Sequence, residues 1–173
     1  KPLPGKFGIE ITDIDVPNIS DEELKHLLLN LYEHRMVVLK TQGLTQAELL
    51  AFSKRVGDPI PLSLTDADYP EIARMTNIDT DSKKEKRGAA HWHTDQSFKK
   101  EVSSATLLYS VQAPNTGGET LFCDMVAAYE ALPTTVQEQI EDLIVEHRHG
   151  IAITARPGDH TPIAPKGWDQ GTT

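Results

Sequence analysis

Cysteine is nearly missing from this 173-residue chain: Cys123 is the single one. That excludes a disulfide framework and any zinc site built on several thiolates, and it makes a reducing, cytoplasmic-type setting the default expectation. Long apolar runs are also missing. No stretch approaches the length that spans a bilayer, and the first residues show no secretory apolar core. A basic excess is lacking too, since 26 acidic residues face 17 lysines and arginines, a formal charge of -9. A general nucleic-acid or anionic-membrane binder would show the opposite balance. There is no internal repeat and no low-complexity block. The chain opens at Lys1 rather than at methionine, so further sequence ahead of it is expected. The length suits one domain with a real core.

The first part of the chain alternates strand and helix signals. GIEITDIDV (8 to 16) is strand-like. Ser20 then begins S-D-E-E, with Glu23 placed to complete a capping box, and Leu24, Leu27, Leu28 and Leu31 follow at helical spacing. That helix is expected to end near His34, with MVVLK (36 to 40) as a short buried strand. A second capping box, Thr45 to Glu48, opens a helix carrying Leu49, Leu50, Phe52 and Val56 and stopped at Gly57. TDSKKEKRG (80 to 88) reads as a polar loop. From Ala90 the pattern predicts strands at HWHTDQSF (91 to 98), SSATLLYSVQ (103 to 112) and ETLFCDM (119 to 125), with a turn at PNTGG (114 to 118). A helix is expected from near Met125, and another after Pro133 over TTVQEQIEDLIVEH. The tail is rich in proline and glycine. Helices around several short antiparallel strands suggest an α+β protein with a jelly-roll core.

HWHTDQSF concentrates the chemistry. His91, His93 and Asp95 are each two residues apart, and on a strand such residues share one face. His93-Thr94-Asp95 has the spacing of the first two ligands of a 2-His-1-carboxylate site, which holds Fe(II) by one face and leaves the other positions open. Neutral imidazole suits Fe(II), and a carboxylate offsets part of its charge. Alone, H-x-D is a weak signal. Its plain alternative is a histidine and an aspartate hydrogen-bonded on a strand. Only His93 begins an H-x-D, so His91 is read as a supporting or structural residue.

The context of H-x-D carries a resemblance. WHTDQSF followed by GGETLFCDMVAAYEALP resembles the taurine/2,4-D (TauD/TfdA-like) dioxygenase family of Fe(II)- and 2-oxoglutarate-dependent oxygenases. Both family elements, W-H-[ST]-D-x-[ST]-F and G-G-[DE]-T-x-[FW], are present at a typical interval. The upstream helix, VVLK, helix and G-D-P-I also resemble the family's N-terminal region, and FCDMVAAYEALP is similar to its aryloxyalkanoate-degrading branch. The resemblance covers nearly the whole chain. It implies a double-stranded β-helix core flanked by helices, with Fe(II) as metal and 2-oxoglutarate as cosubstrate. It also implies O2 and a small, anionic substrate as partners; the charge balance and the lack of apolar runs leave no expected role for nucleic acid or membrane, and homo-oligomerisation stays open.

Carried over residue by residue, the resemblance makes His93 and Asp95 the first two iron ligands. Thr120 becomes the hydroxyl that helps hold the distal carboxylate of 2-oxoglutarate; taken by itself, it is an ordinary β-branched strand residue. Trp92 and Phe98 match aromatics beside the ligand and the substrate pocket, and both fit equally well as core residues. Gly117 and Gly118 serve the turn.

Two parts of the family pattern are missing: a distal histidine as third ligand and an arginine that pairs with 2-oxoglutarate. His147 falls where a helix-end histidine is structural, His149 with Arg156 lies too early, and His160 has no later arginine. The third ligand is therefore expected downstream of Thr173, and residues 1 to 173 are expected to be an incomplete part of a single catalytic domain. The loop KKEKRG (83 to 88) is either a solvated loop or a lid that supplies positive charge. The implied reaction oxidises an unactivated C–H bond with release of succinate and carbon dioxide; which substrate, and which outcome at that carbon, stays open. The competing reading is a non-catalytic, cupin-like protein that binds a metal or small molecule. A purely structural protein explains the acidic surface but not the paired motifs.

Overall fold

The computed structural model describes residues 1–5, 7–41, 43–61, 68–75, 92–145 and 147. They divide into two compact units: one holds Lys1–Ala73 with Leu107–Leu143, and the other Arg74–Thr106 with Ile144–Thr173.

The first unit is α+β. Strand β1 (Ile9–Ile11) pairs in parallel with β2 (Val37–Leu39), in register Ile9 to Val37, Glu10 to Val38 and Ile11 to Leu39. A parallel pair needs a crossover, and helix α1 (Asp21–His34) supplies it. Pro2 adds an antiparallel bridge to Ile9. The intervening turn depends on Gly8, whose φ of 88° lies in the left-handed region. A Cβ there would also sit 2.9 Å from Leu3 Cδ1 and 3.1 Å from Met36 Cε.

Both predicted capping boxes are present. Ser20 Oγ accepts from the Glu23 N–H at 3.2 Å, and the Glu23 carboxylate accepts from the Ser20 N–H at 2.8 Å. Helix α2 (Gln46–Val56) repeats the motif, with Glu48 N–H to Thr45 Oγ1 at 3.2 Å and Thr45 N–H to Glu48 at 2.8 Å. Arg35 closes α1 in the left-handed conformation, φ 63°, its N–H bonded to Leu31 O at 2.7 Å. Gly57 ends α2 with an extended backbone, φ 174°, which any residue adopts. Its role as a stop therefore needs no glycine-specific geometry.

The boxes make the fold acid-sensitive in a defined way. Hydrogen bonds from the Ser20 hydroxyl and N–H hold Glu23 below its ordinary carboxylate value, and those from the Thr45 N–H and hydroxyl do the same for Glu48. A depressed carboxylate contributes stability that is complete above the unfolded value and fades as pH falls through the folded one. Thermal melts followed by far-UV circular dichroism from about pH 5 to about pH 2 are expected to show both helix starts fraying. Glu23→Gln with Glu48→Gln should flatten part of that dependence, because glutamine completes the same box without titrating.

Among the described residues the buried apolar side chains are Val16, Ile19, Leu24, Leu27 and Phe52, joined at their edges by Ile11, Leu28, Val37, Leu39 and Val56. This core lies where the short 3-10 turn Val16–Asn18, α1, α2 and the sheet meet. Arg55 of α2 adds a polar clamp, donating to Ile19 O and, at 2.6 Å, to Asp21 Oδ1 in the first turn of α1. MVVLK forms β2 as expected, but its residues are half-buried rather than buried.

The later part of this unit departs from the sequence expectations. No strand forms over 103–112 or 119–125 among the described residues. A strand exists only where its N–H and C=O groups find a ladder partner, and Leu108, Val111, Leu121 and Phe122 of these segments are exposed. The chain is tied down at single points instead. The Tyr109 hydroxyl accepts from Leu44 N–H at 2.6 Å, and Asp124 lies 3.5 Å from the Arg35 guanidinium. Asp124 also caps α3 (Met125–Glu130), accepting from Val126 and Ala127 N–H at 3.0 and 3.1 Å. Gly117 and Gly118 take φ of 77° and 76°, as the predicted turn requires.

Helix α4 (Thr134–Ile140) starts after Pro133 as expected but stops well short of His147. Beyond it Leu143, Ile144 and Val145 are exposed. With those apolar residues left unpacked, a helix continued there would be marginal. No helix among the described residues is long and apolar enough to cross a membrane.

Candidate metal-binding site

His93 and Asp95 lie in the second unit, and they do not lie on a strand. Residues 92–94 are irregular and 95–98 form a turn, with Ser97 N–H to Thr94 O at 3.4 Å, Lys99 N–H to Gln96 O at 2.9 Å, and Gln96 at φ 57°. The strand expected over 91 to 98, and with it the shared-face argument, is corrected. The pair still meets: His93 Nε2 stands 3.1 Å from Asp95 Oδ1.

The other Asp95 oxygen is held as well. Thr106 Oγ1 donates to Oδ2 at 2.9 Å. Ser97, in the same turn, meets His147 Nδ1 through its hydroxyl at 3.0 Å. His93 and Asp95 have side chains 40% and 47% exposed, so both are reachable by an ion from solvent. Sequence reading missed Thr106 because it stands eleven residues from Asp95 in the chain; no spacing rule links the two. Ser97 lies within WHTDQSF, and its partner His147, expected to be structural, stands fifty residues away in the chain.

The pair suits Fe(II) by type and by spacing. An imidazole nitrogen and a carboxylate oxygen are its ordinary donors. With bonds of about 2.1 Å, two donors at right angles around one ion stand roughly 3 Å apart, close to the 3.1 Å observed. Metal held there would take the place of the His93–Asp95 hydrogen bond, since one ring nitrogen cannot donate a proton and a lone pair together. Among the described residues no group of three histidine, cysteine or acidic side chains is assembled for a metal. The pair supplies two donors.

The remaining predicted residues are placed singly. Trp92 and Phe98 are exposed on either side of the pair in sequence. Thr120 is exposed in the first unit, two residues past the Gly117–Gly118 turn. His91, His149, Arg156, His160 and the KKEKRG loop lie outside the described residues.

The family model described as taurine catabolism dioxygenase TauD, TfdA family matches residues 1–164. The chain belongs to this family. Among curated members it is 31% identical to the alpha-ketoglutarate-dependent 2,4-dichlorophenoxyacetate dioxygenase of Cupriavidus pinatubonensis, over 84% of this chain and 56% of that protein. It is 33% identical to pentalenolactone F synthase of Streptomyces avermitilis, over 84% of this chain and 51% of that protein. Identity to the alpha-ketoglutarate-dependent sulfate ester dioxygenase of Pseudomonas putida is 26%, over 84% and 48% respectively. The chain thus spans about half the length of the TauD/TfdA relatives it matches.

Proposed function

We propose that the whole protein containing this chain is an Fe(II)- and 2-oxoglutarate-dependent dioxygenase that oxidises a C–H bond of a small anionic molecule. The observation that carries the reading is the His93–Asp95 pair, two donors 3.1 Å apart inside the WHTDQSF motif of a TauD/TfdA family member. In this reading the chain forms the first part of a jelly-roll catalytic domain. The third ligand, a histidine, and the arginine for 2-oxoglutarate come from beyond Thr173. That division agrees with a chain that covers 56%, 51% and 48% of the three relatives compared above.

His93 and Asp95 would hold the metal. When bound, it supplies the site where 2-oxoglutarate and O2 react, giving succinate, carbon dioxide and the oxidising power for the substrate. Thr120 donates its hydroxyl to the distal carboxylate of 2-oxoglutarate, which a partly desolvated anion needs beyond its counter-charge. Trp92 and Phe98 wall the substrate side and keep water from the reacting carbon. The names of relatives point to anions as substrates: 2,4-dichlorophenoxyacetate, sulfate esters and sulfonates. A small carboxylate, sulfonate or sulfate ester is the substrate class that follows.

The test is anaerobic titration of the whole protein with Fe(II) and 2-oxoglutarate, followed by visible absorbance, and then a screen of small acids for succinate release on admitting O2. A charge-transfer band and substrate-stimulated succinate are the expected results. Fe(II) bound with no band and no succinate across the acids would favour the cupin-like binding protein instead.

A further inference from the structure

We infer that Thr106 is a positioning residue that aims the Asp95 carboxylate at the metal. This inference rests on the reading of His93 and Asp95 as ligands. A carboxylate turns readily about its terminal torsion, for which no sharp staggered well exists. Left alone, Asp95 could present either oxygen, or both, toward His93. The structure divides the two oxygens between different partners: Oδ1 stands 3.1 Å from His93 Nε2, and Oδ2 accepts from Thr106 Oγ1 at 2.9 Å. With Oδ2 engaged, Oδ1 is the oxygen left on the imidazole side.

The choice of donor matters. A neutral hydroxyl fixes the carboxylate without neutralising it, whereas a lysine or arginine in its place would compete with the cation for the same charge. Threonine is also stiff about χ1, so its hydroxyl is set by the backbone rather than by a search through rotamers. Thr106 and Asp95 are both exposed, so water competes for this hydrogen bond and its contribution to folding is small. What it contributes is direction. The turn that carries Asp95 is pinned separately by Ser97 and His147, so removing the Thr106 hydroxyl frees the carboxylate while the turn stays in place.

The experiment measures Mn(II) affinity of the whole protein at fixed pH, from the electron paramagnetic resonance signal of the free ion. Thr106→Val, close in shape to threonine but without the donor, and Thr106→Ala are both expected to bind Mn(II) about 10–100-fold more weakly than the native protein. Thr106→Ser, which keeps the hydroxyl, should stay within about 3-fold of native, and all three should melt with the native protein. His93→Ala is run in parallel. If His93→Ala loses Mn(II) binding while Thr106→Val and Thr106→Ala bind as the native protein does, the positioning role is wrong and the ligand reading stands. If His93→Ala itself binds as the native protein does, the ligand reading fails and the role of Thr106 falls with it. Serine as weak as valine would also overturn the inference, since the hydroxyl would not be the group that matters.

Discussion

Replacing His93 with alanine in the whole protein is expected to lower substrate-stimulated succinate release by at least about 10³-fold, roughly 4 kcal/mol of lost transition-state stabilisation. In the proposed three-ligand site, removing an imidazole leaves two protein donors, and a metal there would both bind poorly and lack the field that orients its reactants. Folding should be almost untouched. His93 is 40% exposed, in the irregular segment just before the 95–98 turn, and substitutions at such sites shift stability by about 0.5 kcal/mol or less. Asp95→Asn is the informative companion, since it keeps the shape and one acceptor oxygen but loses the charge. It should retain more metal than His93→Ala retains, yet still fall far in turnover. Activity measured under saturating Fe(II) separates weak binding from poor catalysis. Native-like turnover in either variant would remove the pair from the chemistry.

What could be read from the sequence follows a physical divide between local and non-local information. Ser20 with Glu23 and Thr45 with Glu48 specify two helix starts through contacts three residues apart, and both appear at the expected residues. The leucine stripe of the first helix likewise needs only helical period, and Leu24 and Leu27 are buried as that period requires. Asp124 and Pro133 begin the two later helices for equally local reasons. Strands at 91 to 98, 103 to 112 and 119 to 125 were another matter. Their alternation and β-branched content indicate a preference, but a ladder needs a partner segment, and none pairs with them among the described residues. The candidate site shows the same divide. His93 and Asp95 can be named from their motif, while the irregular segment and the turn with Gln96 at positive φ that carry them are read from the pattern as strand. Thr106 reaches Asp95 across eleven residues and has no signature at all.

The second large effect concerns that local core. Phe52→Ala is expected to destabilise the first unit by about 3–5 kcal/mol. Phe52 is 7% exposed and joins α2 to a cluster that otherwise comprises Val16, Ile19, Leu24 and Leu27. Truncation removes the transfer energy of the ring and leaves a void that its neighbours can fill only by moving. Those neighbours come from the 3-10 turn, from Ile19 just after it and from α1. Collapse is therefore resisted by the Arg55 clamp to Ile19 and Asp21 and by the capping boxes that fix both helix starts. A loss of this size is a large share of the roughly 5–15 kcal/mol that holds a domain folded. Urea unfolding followed by circular dichroism should show it as a fall in midpoint with little change in slope. Leu29→Ala is the control: Leu29 lies on α1 but is exposed, so its truncation should cost no more than about 0.5 kcal/mol. Equal losses at Phe52 and Leu29 would mean that the five buried residues are not the core of this unit. A Phe52→Ala variant that melts early yet, while still folded, binds Mn(II) with native affinity would show that the core and the His93–Asp95 pair contribute separately, one to stability and the other to the metal.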